Sequence, residues 1–387
     1  MSVNTLHRFA SEASRKRKAT TRRLSFGYEV EVSPDGARTH VDALTMVPKS
    51  MGGGFSEPES FDAFRVDARR GLLQMPRFYG LEHFGPPDET LCVDGLPLGG
   101  DVRFASTLDP SQQEAQDGVL DALRNGGGCI LRRKAGGGKT VIGLSTLFAL
   151  GRRTIVFSHK TDLLDQWRER IEQHLPGATV GRIQQTRVDV EADVVLATLQ
   201  SVALRDYDSA LFEHFGLAIF DEAHHMGARH FFSVLFKVRP RYLLGLTATP
   251  ERRDGLTRLL HYGLGPLVTA RTHSETTEKV AVTRIVYRGG AQREARVRGM
   301  PCMPLMINDL ARDLRRTLVI VAQVARLHAS GYHTIVLSDR IAHLHEICTH
   351  LTASSVPADA IGFYIASTKA KERTQVRERP VILATFS

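Results

Sequence analysis

Residues 135–140 read A-G-G-G-K-T and residues 217–224 read L-A-I-F-D-E-A-H, and these two stretches decide the fold. The first lies between an apolar run ending near Arg132 and an apolar helical pattern starting at about Lys139. Glycines at a strand-to-helix turn let backbone N–H groups face inward around phosphate oxygens, helped by the positive end of the helix dipole. Gly136, Gly137 and Gly138 would form that cradle, Lys139 would reach the β- and γ-phosphates, and the Thr140 hydroxyl would reach a Mg²⁺ ion. The strict form of the pattern places a glycine five positions before Gly138, where this chain has Arg133. The second stretch is a buried strand ending in two acids. Asp221 at its tip suits Mg²⁺ opposite Thr140, and Glu222 suits polarising a water for in-line attack. Without the glycine loop the two acids would read as a helix-capping pair. His224 has no second ligand at metal spacing and reads as a polar link to neighbouring elements.

Outward from these stretches, short apolar runs alternate with amphipathic ones. Strands are expected at Cys129–Arg132, Thr154–Ser158, Asp193–Thr198, Leu217–Asp221 and Tyr242–Thr247, with a helix over Leu163–His174 between two of them. This is the alternation of a parallel sheet covered by helices on both faces, and ligands sit at the carboxyl ends of such strands. The strand ending at Thr247 leads into T-A-T-P, where Thr247 and Thr249 offer short hydroxyls suited to bonding the acidic box. A second α/β series follows, with Val280–Tyr287 as a strand, Asp309–His328 as one long helix, Thr334–Leu337 as a strand and a last apolar run from Val381.

The chain has 387 residues, enough for more than one domain. Hydrophobic residues make up 42% and charged residues 24%, which argues against wholesale disorder. The net charge of +9 favours a polyanionic partner over an acidic protein, or else is only a soluble basic surface. Cys92, Cys129, Cys302 and Cys348 form no C-x-x-C pair, so reduced thiols are expected rather than zinc or disulfides. The sequence has no secretory leader and no apolar stretch of membrane-spanning length, so a soluble intracellular protein without membrane contact is expected. Residues 1–25 contain R-K-R-K-A-T-T-R-R at 15–23 and read as a flexible basic tail. Residues 26–104 read as a small mixed accessory domain with a loop at M-G-G-G, 51–54. Within it Arg77 stands beside Phe78 and Tyr79, which suits stacking on bases or, the preferred reading, an aromatic turn packed on the next domain.

The ordered set of motifs resembles superfamily 2 DEAD/DEAH-box helicases, in particular the XPB-like type encoded by large DNA viruses and phages. The segments that carry the resemblance are L-D-P-S-Q-Q at 108–113, A-G-G-G-K-T, H-K-T-D-L-L-D-Q-W at 159–167, T-L-Q-S at 198–201, D-E-A-H-H at 221–225 and L-G-L-T-A-T-P-E-R-R-D-G-L at 244–256. Weaker matches are M-P-R-F-Y-G-L-E-H-F-G at 75–85, V-L-S-D-R at 336–340 and S-T-K-A-K-E-R at 367–373. The resemblance implies a P-loop NTPase with two RecA-like parallel-sheet lobes, here 105–273 and 274–387, the second C-terminally truncated. It implies ATP and Mg²⁺ as cofactors, with Gln112 reading adenine and Lys139, Asp221, Glu222 and His224 doing the catalytic work. It also implies that His159, Lys160, Thr198 and Gln200 line a nucleic-acid track faced by Ser338 and Arg340, with Thr247 and Thr249 coupling the two sites.

The implied activity is ATP-driven translocation along a duplex, DNA in preference to RNA, in host cytoplasm or nucleus if the source is viral. Members of this family continue with a Q-x-x-G-R-x-x-R motif that supplies an arginine finger, and it is not found before Ser387. The alternative expectation is therefore a nucleotide-gated clamp that binds nucleic acid without efficient hydrolysis.

Overall fold

A computed structural model describes residues 21–47, 59–67, 70–225, 228–251, 256–269, 281–289, 294–297, 299–354, 356–368 and 370–386. The basic run at 15–20, the M-G-G-G loop, Arg252–Gly255 and the expected strand start at Val280 lie outside those residues. The chain divides into two units, Met1–Glu278 and Lys279–Ser387.

The first unit begins with β1 (Arg22–Ser25), β2 (Gly27–Glu31) and the helix α1 (Pro34–Leu44), followed by β3 (Arg65–Asp67), β4 (Leu72–Met75), α2 (Arg77–Phe84) and β5 (Glu89–Thr90). The five strands form one sheet in the order β3-β4-β2-β1-β5. Arg22 and Arg23, read from the sequence as the end of a flexible tail, instead form a strand. Their charge is answered by Asp88 at 2.6 Å and Glu89 at 2.7 Å, which lets the basic stretch pair in a sheet.

The larger sheet is built from β6 (Gly128–Arg132), β7 (Thr154–Ser158), β8 (Val180–Gln184), β9 (Arg187–Asp189), β10 (Val194–Thr198), β11 (Leu217–Asp221), β12 (Tyr242–Thr247) and β13 (Leu267–Thr269). Their order is β9-β8-β10-β7-β11-β12-β6-β13, and every pairing is parallel except β8 with β9. Alternate residues of each strand enter two separate cores. Cys129, Leu131, Val156, Leu196, Ile219 and Leu246 pack with α3 (Pro110–Gly126), α4 (Lys139–Leu150) and α5 (Thr161–His174). Ile130, Ile155, Phe157, Ala197, Phe220 and Leu243 pack with α6 (Leu199–Leu204), α7 (Ala228–Leu235) and α8 (Thr257–Leu264). Each large apolar side chain buried this way contributes about 1.5–3 kcal/mol, which is why continuous apolar runs form the strands.

The second of those cores also takes in Tyr28, Leu44, Leu73, Met75 and Tyr79, so the N-terminal segment shares its interior with the large sheet. Arg77 fastens the two together. It is 5% exposed and donates to the carbonyls of Pro240 at 2.8 Å, Arg241 at 3.0 Å and Gly127 at 3.4 Å, at the amino ends of β12 and β6. The R-F-Y segment, expected as a turn, is the start of helix α2 and a packing element, and burial lowers the pKa of the Arg77 guanidinium.

In the second unit α9 (Met303–Ala311) and α10 (Leu314–Ala329) precede β14 (Thr334–Leu337), α11 (Ile341–Ala353), β15 (Ile361–Tyr364), α12 (Ala370–Arg377) and β16 (Val381–Ala384). The three strands are parallel in the order β14-β16-β15, with Val321, Val324, Leu344, Ile347, Val381 and Leu383 in the core. Two expectations are corrected. The single helix over Asp309–His328 is two helices, because the Asp313 carboxylate accepts from the Arg316 amide and starts a new one. Residues 281–287 form no strand; Val282, Ile285 and Val286 are exposed, and no neighbouring strand pairs with them among the described residues. All four cysteines are free thiols, and no described helix is long and apolar enough to cross a membrane.

Replacing Arg77 with Ala removes the fastener and leaves buried carbonyls short of a donor. Chemical denaturation of R77A is expected to show a loss of about 2–4 kcal/mol for the first unit. A denaturation midpoint equal to that of the unchanged chain would contradict the role given to Arg77.

Candidate nucleotide and nucleic-acid site

Strand order brings the quoted motifs together. β12 lies between β6, which feeds the glycine loop, and β11, which ends in Asp221, so all three carboxyl ends meet at one edge. Thr247 is in register with Arg132, and Leu246 with Asp221.

Gly136 and Gly138 take positive φ angles of 75° and 81°, and Gly138 caps α4. A Cβ on Gly138 would lie 2.4 Å from Gln112 Nε2, so the absence of a side chain there lets the Gln112 amide rest against the loop. Lys139 is 8% exposed, and its ammonium lies 3.3 Å from Glu222 Oε1 and 3.4 Å from the Arg133 carbonyl. A buried ammonium needs such partners, and a triphosphate would compete for it with Glu222. Thr140 lies in the first turn of α4.

Asp221 is 6% exposed, and burial raises its pKa against the opposing pull of the Trp167 hydrogen bond. Trp167 Nε1–H donates to Oδ2 at 2.8 Å, and the Glu222 amide donates to Oδ1 at 3.0 Å. Glu222 has φ of +48°, a strained region for a side-chain-bearing residue, and such strain concentrates at functional sites. His224 Nδ1 lies 2.8 Å from Thr247 Oγ1 and 3.5 Å from Glu222 Oε2. Since the Thr247 hydroxyl donates to the Thr249 carbonyl at 3.0 Å, it accepts from Nδ1–H, which assigns that tautomer. The T-A-T segment and the acidic box are thereby joined through His224.

No group of three or more His, Cys, Asp or Glu side chains able to hold a metal lies together among the described residues. Mg²⁺ is commonly held by one or two protein groups plus phosphate and water rather than by a protein cage. Thr140 and Asp221, the pair expected from the sequence to hold it, lie in the first turn of α4 and at the carboxyl end of β11.

At the same sheet edge, β10 pairs with β7 so that Thr198 stands opposite Ser158, next to His159 and Lys160. Lys160 and Gln200 are exposed, His159 is half-buried, and Thr198 is buried with its hydroxyl donating to Ser201 Oγ at 2.6 Å. The short helix α6 carrying Gln200 is held from α7 and the turn after it. Ser233 donates to the Ala203 carbonyl at 3.2 Å, and the Lys237 ammonium donates to the carbonyls of Val202 at 3.0 Å, Ala203 at 3.2 Å and Arg205 at 2.7 Å. In the second unit, Ser338 Oγ lies 3.0 Å from His343 Nδ1, and Arg340 donates to Asn308 Oδ1 and to the Pro304 carbonyl.

Residues 105–252 match the family described as the Type III restriction enzyme, res subunit. A chain of Acanthamoeba polyphaga mimivirus, assigned by its name to the ATP-dependent RNA helicases, is 26% identical over 376 residues, covering 95% of this chain and 72% of that one. A DNA 3'-5' translocase of Sulfurisphaera tokodaii, XPB2, is 32% identical over 196 residues, covering 48% of this chain and 40% of the translocase. These matches support the reading of residues 105–252 as a helicase-type domain of superfamily 2. A helicase of Invertebrate iridescent virus 3 is 33% identical over 170 residues, and the chain spans 52% of its length.

Three residues were given no role from the sequence: Trp167, which holds Asp221, and Arg133 with Ser111, which are bonded to each other. Trp167 is the single tryptophan of the chain and ends the quoted segment 159–167, and a buried indole N–H needs an acceptor. It should therefore report on the site. Adding ATP with Mg²⁺ is expected to change tryptophan fluorescence in the unaltered chain and not in K139A. An unchanged spectrum at saturating nucleotide, or the same change in K139A, would contradict that geometry.

Proposed function

We propose that this chain is the ATP-hydrolysing, nucleic-acid-tracking part of a helicase or translocase, acting on DNA in preference to RNA. The observation that carries the reading is the 3.3 Å approach of Lys139 Nζ to Glu222 Oε1 at the edge formed by β6, β12 and β11. The lysine that would hold the terminal phosphate and the glutamate that would receive the proton of the attacking water already face each other.

When ATP binds, the phosphates would take Lys139 from Glu222. Glu222 would then be released to orient water in line with the terminal phosphate and accept its proton. Mg²⁺, held through Thr140 and Asp221, would supply charge neutralisation between the phosphates. Trp167 would keep Asp221 in place. His224 would carry the change at Glu222 to Thr247, while Ser233 and Lys237 connect α7 after the acidic box to α6 and Gln200. His159, Lys160, Thr198 and Gln200 would meet the sugar-phosphate backbone. Contacts of this kind are sequence-independent and weaken with salt. The net charge of +9 and the named activity of the archaeal translocase support DNA as the track.

Steady-state ATP hydrolysis with and without duplex DNA tests the reading. DNA is expected to raise the rate, K139A and E222Q are each expected to lower it by about 10²-fold or more, and E222Q should still bind nucleotide. Turnover that ignores nucleic acid, or persists in K139A, would overturn it. Greater stimulation by RNA than by DNA would reverse the choice of track.

A further inference from the structure

Arg133 occupies the position where the strict phosphate-loop pattern has a glycine, and its side chain is 7% exposed rather than turned to solvent. Its guanidinium donates to the Ser111 carbonyl at 2.8 Å and to Ser111 Oγ at 2.6 Å. Its stem lies beneath the glycine loop, where a Cβ on Gly137 would come within 2.8 Å of Arg133 Cγ.

Ser111 in turn donates to Asp109 Oδ1 at 2.7 Å, and the same carboxylate oxygen accepts from the Gln112 amide at 2.8 Å. Gln112 Oε1 accepts from the Asp109 amide at 3.0 Å, which closes a capping box at the start of α3. The other end of that carboxamide, Nε2, rests against Gly138. The contacts therefore run in a closed ring, from Arg133 through Ser111, Asp109 and Gln112 to Gly138 and back along the loop. The turn carrying Gln112 and the loop before Lys139 are tied at two points.

We propose that Arg133 is a positioning residue for nucleotide selection, fixing the Gln112 turn to the phosphate loop so that the fit of the base governs the grip on the phosphates. This rests on the nucleotide-site reading above. An amide set to read a base has a position fixed by whatever holds its turn, and a group that is preorganised discriminates more sharply than one that must be ordered on binding. With Arg133 in place, a base that fits Gln112 leaves the loop undisturbed, and one that displaces the turn also displaces the loop. Without it, the two halves respond separately.

The test is equilibrium binding of ATP and GTP, each with Mg²⁺, to the full chain and to R133A and R133K. The unaltered chain is expected to prefer ATP, and R133A to lose about tenfold of that preference, chiefly by weaker ATP binding. R133K keeps the stem under Gly137 and one donor, and should lie between them, which preserves the test if R133A does not fold. Equal weakening toward both nucleotides would show a purely structural arginine and overturn the proposal, as would an unchanged preference. If the unaltered chain binds neither nucleotide, the nucleotide-site reading itself fails. If it binds both without preference, that reading stands and the selection proposal falls.

Discussion

Asp221 ends a strand in which every residue is buried, and its carboxylate has to be satisfied there without solvent. The indole of Trp167 and the amide of Glu222 meet it, one from a helix on the sheet's face and the other from its own chain. A partly satisfied buried carboxylate would be costly, so the positions of α5, β11 and the turn at Glu222 are set together. Much of the site's geometry follows from this. The turn that bonds Asp221 puts Glu222 at φ +48°, which aims its side chain at Lys139 on one side and His224 on the other. His224 then reaches Thr247 at the end of the next strand.

The same economy holds at the other end of the loop. Asp109 caps α3, and a hydrogen bond from Ser111, with help from the Gln112 amide, lowers its pKa. Ser111 is also where Arg133 attaches. One carboxylate, one serine and one arginine thereby link the element that starts the first helix of the lobe to the loop that starts the second. The candidate nucleotide site of the first unit is consequently held by side chains from three sequence segments. The nucleic-acid candidates at β7 and β10 are tied to the acidic box through α7, Ser233 and Lys237.

The large sheet was legible in the sequence because parallel strands buried on both faces appear as unbroken apolar runs, and β6, β7, β10, β11 and β12 all do. The N-terminal segment was less so. Arg22 and Arg23 read as tail because their partners, Asp88 and Glu89, lie more than sixty residues away. The segment at Arg77 read chiefly as packing on the next domain, but nothing local announces that backbone carbonyls near residues 127 and 240 will surround the arginine. In the second unit, the Asp313 cap that splits a long helix is a local signal that the apolar periodicity on either side obscured. Of the site, the loop, the acidic box and the threonines carried their own patterns. Trp167 and Arg133 did not, since their roles are defined only by which distant side chain or backbone group they reach.

If one edge of the first unit binds nucleotide and passes its state to a nucleic-acid surface on the same unit, nucleotide state sets DNA affinity. The affinity of the full chain for duplex DNA, measured with a non-hydrolysable ATP analogue and again with ADP, tests this coupling directly. A difference between the two states of about fivefold or more is expected. Equal DNA affinity in both states, with nucleotide shown to be bound, would contradict it.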